Sequence, residues 1–115
     1  VIVRNSATSA AYWATTGAGR IFASKNSDIG GIGVTMSYLD SVNQNKKEGY
    51  TYNQLSAGKF KDTGDPDRPL SVEEIKLLMR DVNIMHQNFI KAVSENRKIG
   101  VEKVTSLADG STMLG

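Results

Sequence analysis

A long amphipathic segment after Ser71 limits the possible folds more than any other stretch of this sequence. Ser71 and Glu74 have the spacing of a capping box, in which each side chain binds the backbone N–H of the other residue. Apolar residues then recur at helical spacing, at Ile75, Leu78, Met79, Val82, Met85, Phe89, Ala92 and Val93. The pattern predicts a helix from Ser71 to about Asn96 with one face against a core or a partner.

Short strand-like runs alternate with short helical runs in the rest of the chain. The predicted strands are 1–4, 20–24, 29–34 (with 35–38 as a continuation) and 50–55. The predicted helices are 10–18, a weak surface helix at 39–47, and 101–108, while 56–69 is a loop with both prolines. This alternation predicts the α/β class. A chain of 115 residues is long enough for one domain with a modest core, so we interpret 1–115 as a single domain.

The composition excludes several classes of function. The net charge of +2 is too small to indicate binding to nucleic acid or to an anionic membrane. Without cysteine there is no disulfide framework, thiol nucleophile or thiolate metal site. The one histidine, His86, excludes a multi-histidine metal site, and we interpret it as structural or solvent-facing at the edge of the helical stripe. If a serine here needs a base, lysine is therefore the alternative to histidine.

The first turn, Asn5–Trp13, is the candidate functional segment. Small residues and hydroxyls stand between an apolar run and a helical run, and Ser9 stands at the corner. A strand that turns sharply into a helix needs small residues and can present a serine hydroxyl as a nucleophile. The alternative is an ordinary serine-rich turn that caps a helix.

Several segments, taken in chain order, resemble the signal peptide peptidase A family. Residues 8–13, Thr-Ser-Ala-Ala-Tyr-Trp, resemble its nucleophile segment, Ala-Ser-Gly-Gly-Tyr-Tyr/Trp. Residues 20–24 are similar to the strand that follows it, and residues 30–34 to the family's Gly-Ser-Ile-Gly-Val. Residues 57–62 resemble the segment that carries the catalytic lysine, and 107–110 the family's Ala-Asp-Gly. Together the matches extend over nearly the whole chain.

The resemblance implies a serine peptidase with a ClpP/crotonase-like fold and a Ser-Lys dyad. Ser9 matches the nucleophile and Lys61 the general base, which a desolvated, neutral amine can be. The N–H of Ser9 or of its neighbour would stabilise the oxyanion. Lys59 is the rival base, because residues 59 and 61 point the same way if the segment is extended. This chemistry requires neither a metal nor a cofactor.

The same resemblance implies the substrate-binding residues and shows where this chain departs from the family pattern. We expect Tyr12, Gly30, Gly31 and Ile32 to bind the substrate, since glycines allow a backbone or a substrate to come close. Ala10 and Ala11 replace the usual Gly-Gly. Gly31 replaces the usual serine, so the hydrogen bond of that hydroxyl to the lysine is lost or is made by Ser27, Ser56 or water.

The implied function is cleavage of apolar peptides such as remnant signal peptides. Two alternatives are a phage-type maturation protease of the same chemistry and a non-catalytic ClpP/crotonase-like assembly module. The family implies a homo-oligomeric ring whose dyad can be completed between protomers, a membrane anchor outside this chain, and a catalytic domain outside the cytoplasm. The chain itself is expected to be soluble. We also expect it to be the C-terminal portion of a catalytic domain and, alone, a poor enzyme.

Overall fold

A computed structural model describes residues 1–115 and confirms the mixed α/β class. The strands are β1 (Ile2–Val3), β2 (Ser6–Thr8), β3 (Phe22–Ala23), β4 (Asp28–Gly30) and β5 (Thr112–Leu114). The helices are α1 (Ala10–Thr16), α2 (Val42–Glu48), α3 (Val72–Arg97) and α4 (Val101–Leu107). The chain falls into two compact units, Val1–Thr35 with Val82–Gly115, and Met36–Asp81. Their interpretation as one peptidase domain stays a prediction.

The first unit contains both small sheets. Strands β1 and β3 form a parallel pair, while β4 is the central strand between β2, which is parallel to it, and β5, which is antiparallel. Thr8, the last residue of β2, pairs with Gly30, and Gly30 also pairs with Thr112 of β5. The carboxyl ends of β2 and β4 therefore lie side by side, directly before Ser9 and Gly31.

The core of the first unit is a cluster of buried apolar side chains, and the partly buried Tyr12 packs against it. Its members are Ile32, Phe89, Ile90, Val93, Val104 and Ala108. Only the C-terminal half of α3 contributes to it. In the predicted apolar stripe, Phe89 and Val93 are buried, whereas Ile75, Met79 and Met85 are exposed.

The C-terminal end of α3 is attached to the C-terminal end of α1 by hydrogen bonds. Arg97 donates from its guanidinium to the carbonyl oxygens of Ala18, at 2.7 Å, and Thr16, at 3.4 Å. Asn96 donates from Nδ2 to the buried Thr16 Oγ1 at 2.9 Å. The two bonds from Arg97 satisfy carbonyl groups at and just after the end of α1, which the helix leaves without partners.

The second unit, 36–81, is held by polar contacts, since none of its apolar side chains is among the buried core residues. Both oxygens of Glu74 accept hydrogen bonds from Arg68 at 2.8 Å, and Glu74 is only 4% exposed. The predicted capping box is confirmed, because Glu74 N–H donates to Ser71 Oγ and Ser71 N–H donates to Glu74. The guanidinium of Arg68 and the Ser71 donors hold the pKa of Glu74 well below its usual value.

The strand predicted at Tyr50–Leu55 is wrong. These residues form no strand ladder, and the Tyr52 hydroxyl instead donates to Asp65, which raises the pKa of Tyr52 to about 12.

The strand predicted at 29–34 ends early, at Gly30, and 35–38 does not continue it. Gly30 and Gly31 have φ values of 107° and 67°, outside the extended region. Strands β2 and β5 were not predicted, because pairing depends on segments distant in sequence.

None of the helices combines the length and the apolar character that crossing a bilayer requires.

Candidate active site

Ser9 occupies the corner between β2 and α1 in an uncommon backbone conformation. Its φ is 54° and its ψ is −128°, a region that residues with a Cβ atom rarely adopt. Although Ser9 is the N-cap residue of α1, its side chain makes no capping hydrogen bond. The alternative of an ordinary serine cap therefore does not describe this turn, and the exposed hydroxyl is free of hydrogen bonds within the chain.

The neighbouring strand fixes the backbone of this corner. The N–H of Ser9 donates to the carbonyl oxygen of Gly30 at 2.8 Å. A Cβ atom added to Gly31 would lie 3.2 Å from the Ser9 nitrogen, so the glycine allows the backbone directly after β4 to approach the turn closely. The Ser9 N–H is thus occupied, whereas the Ala10 N–H, at the first position of α1, makes no backbone hydrogen bond. Of the two predicted oxyanion donors, only the neighbour of Ser9 is available.

Ser9 opens onto a cleft of about 790 Å³ in the first unit. Segments 8–10, 31–35 and 108–112 supply mostly small residues to its lining, and helices α1 and α3 supply the larger side chains. The larger residues are Trp13, Met85, His86, Asn88 and Phe89. The cleft is large enough for part of a peptide and is mainly apolar, with hydroxyl, amide, imidazole and carboxylate groups at a few positions.

Only part of the predicted substrate-binding set lies in this cleft. Gly31 lines it together with Ser9, whereas Tyr12, Gly30 and Ile32 do not. Tyr12 packs against the core, Ile32 is only 6% exposed within it, and the Gly30 carbonyl is used by Ser9. The roles of Tyr12, Gly30, Gly31 and Ile32 in substrate binding stay predictions.

Trp13 is a cleft residue that the sequence did not single out. Its ring stacks on Phe89 with centroids 4.8 Å apart and an interplanar angle of 14°. Trp13 and Tyr12 are neighbours on one short helix, and nothing in the local pattern shows which of the two faces the cleft.

His86 lines the cleft but makes no hydrogen bond to Ser9. Its Nε2 atom is buried and has no hydrogen-bond partner. In a Ser-His pair the imidazole must bind the serine hydroxyl, so this arrangement does not provide one. His86 is half-buried, in agreement with its interpretation as structural at the edge of the helical stripe.

Asp109 adds a carboxylate to the cleft. It accepts hydrogen bonds from the backbone N–H and the hydroxyl of Ser111, and these bonds hold the pKa of Asp109 below its usual value. Asp109 therefore carries a negative charge at neutral pH.

Ser27, suggested as a substitute for the hydroxyl that Gly31 lacks, is already engaged. It is fully buried, and its Oγ donates to the carbonyl oxygen of Val3 at 2.9 Å. Ser27 is therefore not free to bind a catalytic lysine.

Lys61 belongs to the second unit, where its surroundings differ from those of Lys59. Lys59 forms an ion pair with Glu73 and lies 5.5 Å from the ring centroid of Phe60. Lys61 makes no ion pair and is exposed. The segment is a series of turns, with Lys61 N–H donating to the carbonyl oxygen of Gly58, so it is not the extended segment in which residues 59 and 61 would point the same way. The pairing of Lys61 with Ser9 stays a prediction.

Comparisons with known proteins indicate the family to which this chain belongs. A family model described as peptidase family S49 matches residues 1–115. A protein of Methanocaldococcus jannaschii, provisionally named a protease, is 36% identical over 107 residues, which are 93% of this chain and 34% of that protein. A protein of Enterococcus faecium, provisionally named signal peptide peptidase SppA, is 32% identical over 107 residues, which are 93% of this chain and 31% of that protein. A Synechocystis protein, provisionally named a protease, is 28% identical over 111 residues, which are 96% of this chain and 40% of that protein. The chain spans about a third of the length of these curated relatives.

Proposed function

Because this chain belongs to peptidase family S49, as its resemblance to signal peptide peptidases predicted, we propose that it carries the nucleophile of a serine endopeptidase and that this nucleophile is Ser9. The conformation of Ser9 carries the proposal. A serine at a strand-to-helix corner with φ of 54°, whose hydroxyl neither caps the helix nor binds another group, is presented to the cleft for reaction.

The chemistry follows the order of an acyl transfer. Ser9 Oγ attacks the peptide carbonyl carbon while a base takes its proton, and the carbonyl oxygen becomes an oxyanion. The Ala10 N–H is the donor that this chain offers to that oxygen, since the Ser9 N–H is bound to Gly30. The base then returns the proton to the leaving amine, and the C–N bond breaks to leave an ester on Ser9. Water, deprotonated by the same base, hydrolyses this ester.

The base in this proposal is Lys61. The ammonium group of Lys59 is engaged in an ion pair with Glu73, whereas Lys61 has no carboxylate partner. A lysine acts as a base near neutral pH only when its ammonium form loses solvent. Lys61 is exposed in its own unit, so a further surface must cover it. We assign this role to an assembly of identical copies, in which the dyad can be completed between protomers.

The proposed substrates are apolar peptide segments such as remnant signal peptides. The mainly apolar lining of the cleft supports this choice, as does the name of the Enterococcus faecium relative. We further propose a ClpP/crotonase-like catalytic domain that works outside the cytoplasm, in a protein associated with the membrane through a segment outside residues 1–115.

Labelling of the full-length protein with a serine-directed fluorophosphonate tests the dyad. We expect labelling at Ser9, its loss in Lys61→Ala, and its retention in the matched control Lys59→Ala. Loss in Lys59→Ala with retention in Lys61→Ala would identify Lys59 as the base. A folded protein without any labelling would instead indicate a non-catalytic assembly module.

Cleavage assays separate the two proteolytic alternatives. A signal peptide peptidase should cleave apolar signal-peptide remnants. Cleavage restricted to a folded capsid-type precursor would favour the maturation protease.

A further inference from the structure

Two of the larger side chains of the Ser9 cleft, Trp13 and Phe89, are stacked on each other. Trp13 and Phe89 both line the cleft, and their nearly parallel rings stack at 4.8 Å. Phe89 is only 2% exposed and belongs to the core, so it is a fixed support beneath the indole. Trp13 itself is 37% exposed. Phe89 therefore covers one face of the indole, while more than a third of the Trp13 surface remains exposed at the cleft.

A backbone hydrogen bond fixes the position of Trp13 relative to Ser9. The N–H of Trp13 donates to the carbonyl oxygen of Ser9 at 3.0 Å, which is the first hydrogen bond of helix α1. Because Ser9 and Trp13 are one helical turn apart and the stack restricts the indole, the distance between the hydroxyl and the aromatic surface varies little. A substrate group on this surface would lie at a defined position relative to the bond under attack.

We propose that Trp13 determines specificity at this site by selecting an aromatic side chain, which stacks on the exposed surface of the indole. This inference rests on the proposed function of Ser9. A planar ring gains from stacking on a second ring beyond the area that it buries, whereas an aliphatic side chain gains only from burial. Trp13 thus favours phenylalanine or tyrosine over leucine at the residue seated in the cleft.

Two peptidyl phosphonate diphenyl esters, identical except for phenylalanine or leucine next to the phosphorus, test this selection on the full-length protein. The measured quantity is the ratio of their labelling rates at Ser9. We expect Trp13→Leu to lower the phenylalanine-to-leucine ratio about fivefold and Trp13→Phe to restore most of it. Phe22→Leu, which removes an exposed aromatic ring from β3 outside the cleft, is the matched control and should leave the ratio unchanged.

An unchanged or higher ratio in Trp13→Leu would overturn the proposal. A higher ratio would mean that the indole restricts large side chains instead. Absence of labelling by both esters would contradict the proposed function of Ser9 rather than the role of Trp13.

A binding measurement tests Trp13 without any reaction. Trp13 is the one tryptophan of residues 1–115, so in full-length Ser9→Ala the part of the tryptophan emission change that Trp13→Phe removes reports on the cleft. We expect a phenylalanine-containing peptide to change the emission at a lower concentration than its leucine counterpart. Identical titration curves for the two peptides would contradict the stacking.

Discussion

At the scale of single residues, the site depends on two positions with positive φ that face each other. Ser9 has a φ of 54° although it carries a Cβ atom, and such a conformation costs about 1–3 kcal/mol. Gly31, with a φ of 67°, lies so close to the Ser9 nitrogen that a side chain there would crowd the turn. The conformation of Ser9 is thus maintained by its hydrogen bond to Gly30 and by the close approach of the backbone at Gly31.

Replacement of Ser9 separates strain from reactivity. Both Ser9→Ala and Ser9→Gly remove the hydroxyl and should abolish fluorophosphonate labelling. Glycine adopts positive φ without a steric penalty, so Ser9→Gly should be more stable to urea than Ser9→Ala by about 1 kcal/mol. Equal unfolding free energies for the two variants would show that the corner is not strained.

Three glycine-to-serine substitutions test the close contact between Gly31 and the Ser9 nitrogen. Gly31→Ser restores the residue of the family pattern but adds a Cβ atom 3.2 Å from the Ser9 nitrogen at positive φ, so we expect a loss of about 1–3 kcal/mol and slower labelling. Gly49→Ser has positive φ in open space and should lose about 1 kcal/mol. Gly19→Ser, with open space and no positive φ, should be close to neutral. Urea unfolding measures all three.

At the scale of elements, helix α3 is stabilised at its two ends by different means. At its N-terminal end, Ser71 and Glu74 form the capping box, and Glu74 also forms a bidentate ion pair with Arg68. Its C-terminal end packs Phe89 into the core and holds α1 through Arg97. Since only the C-terminal half is covered by apolar contacts, the start of α3 depends on the charge of Glu74.

The pH dependence of stability should show the contribution of the Glu74 charge. The pKa of Glu74 in the folded chain is below the unfolded value of about 4.3, so its stabilising contribution is present above that pH. The contribution is lost as pH falls through the folded pKa. Glu74→Gln should lower the Tm at pH 7 by about 5 °C and should lose less stability than the wild type between pH 5 and pH 2. Parallel Tm profiles for the two proteins would contradict this role, and Glu73→Gln, at an exposed ion pair, is the control.

At the scale of the whole molecule, the two units differ in how their apolar residues are used. The first unit buries a cluster around Phe89, Ile90 and Val93. In residues 36–81 none of the large apolar side chains is fully buried, many are exposed, and Leu55 is 99% exposed. Exposed apolar residues in this density are typical of an interface. They support the proposed assembly, which would also cover Lys61.

Charge substitutions on this surface test the assembly. In the full-length protein, Leu55→Asp should reduce the oligomer mass measured by light scattering, because a carboxylate cannot be buried there without a partner. Labelling of Ser9 should fall with it, since Lys61 would then stay solvated. Lys47→Asp, at an exposed position of α2, introduces the same side chain as a control. An intact oligomer in Leu55→Asp, or full labelling by the dissociated protein, would contradict the link between assembly and the dyad.

The sequence by itself determined the features that depend on neighbours within a few residues. Helix α3 with its capping box, helix α4 and the serine corner before α1 were predicted, because hydrogen bonds and side-chain periodicity at short separation specify them. The tertiary structure decided the pairing of β5 with β4, the burial of only the C-terminal half of α3, and the occupation of the Ser9 N–H by Gly30. It also placed Trp13 rather than Tyr12 in the cleft. Each of these depends on contacts between residues far apart in the chain, which a local pattern cannot specify.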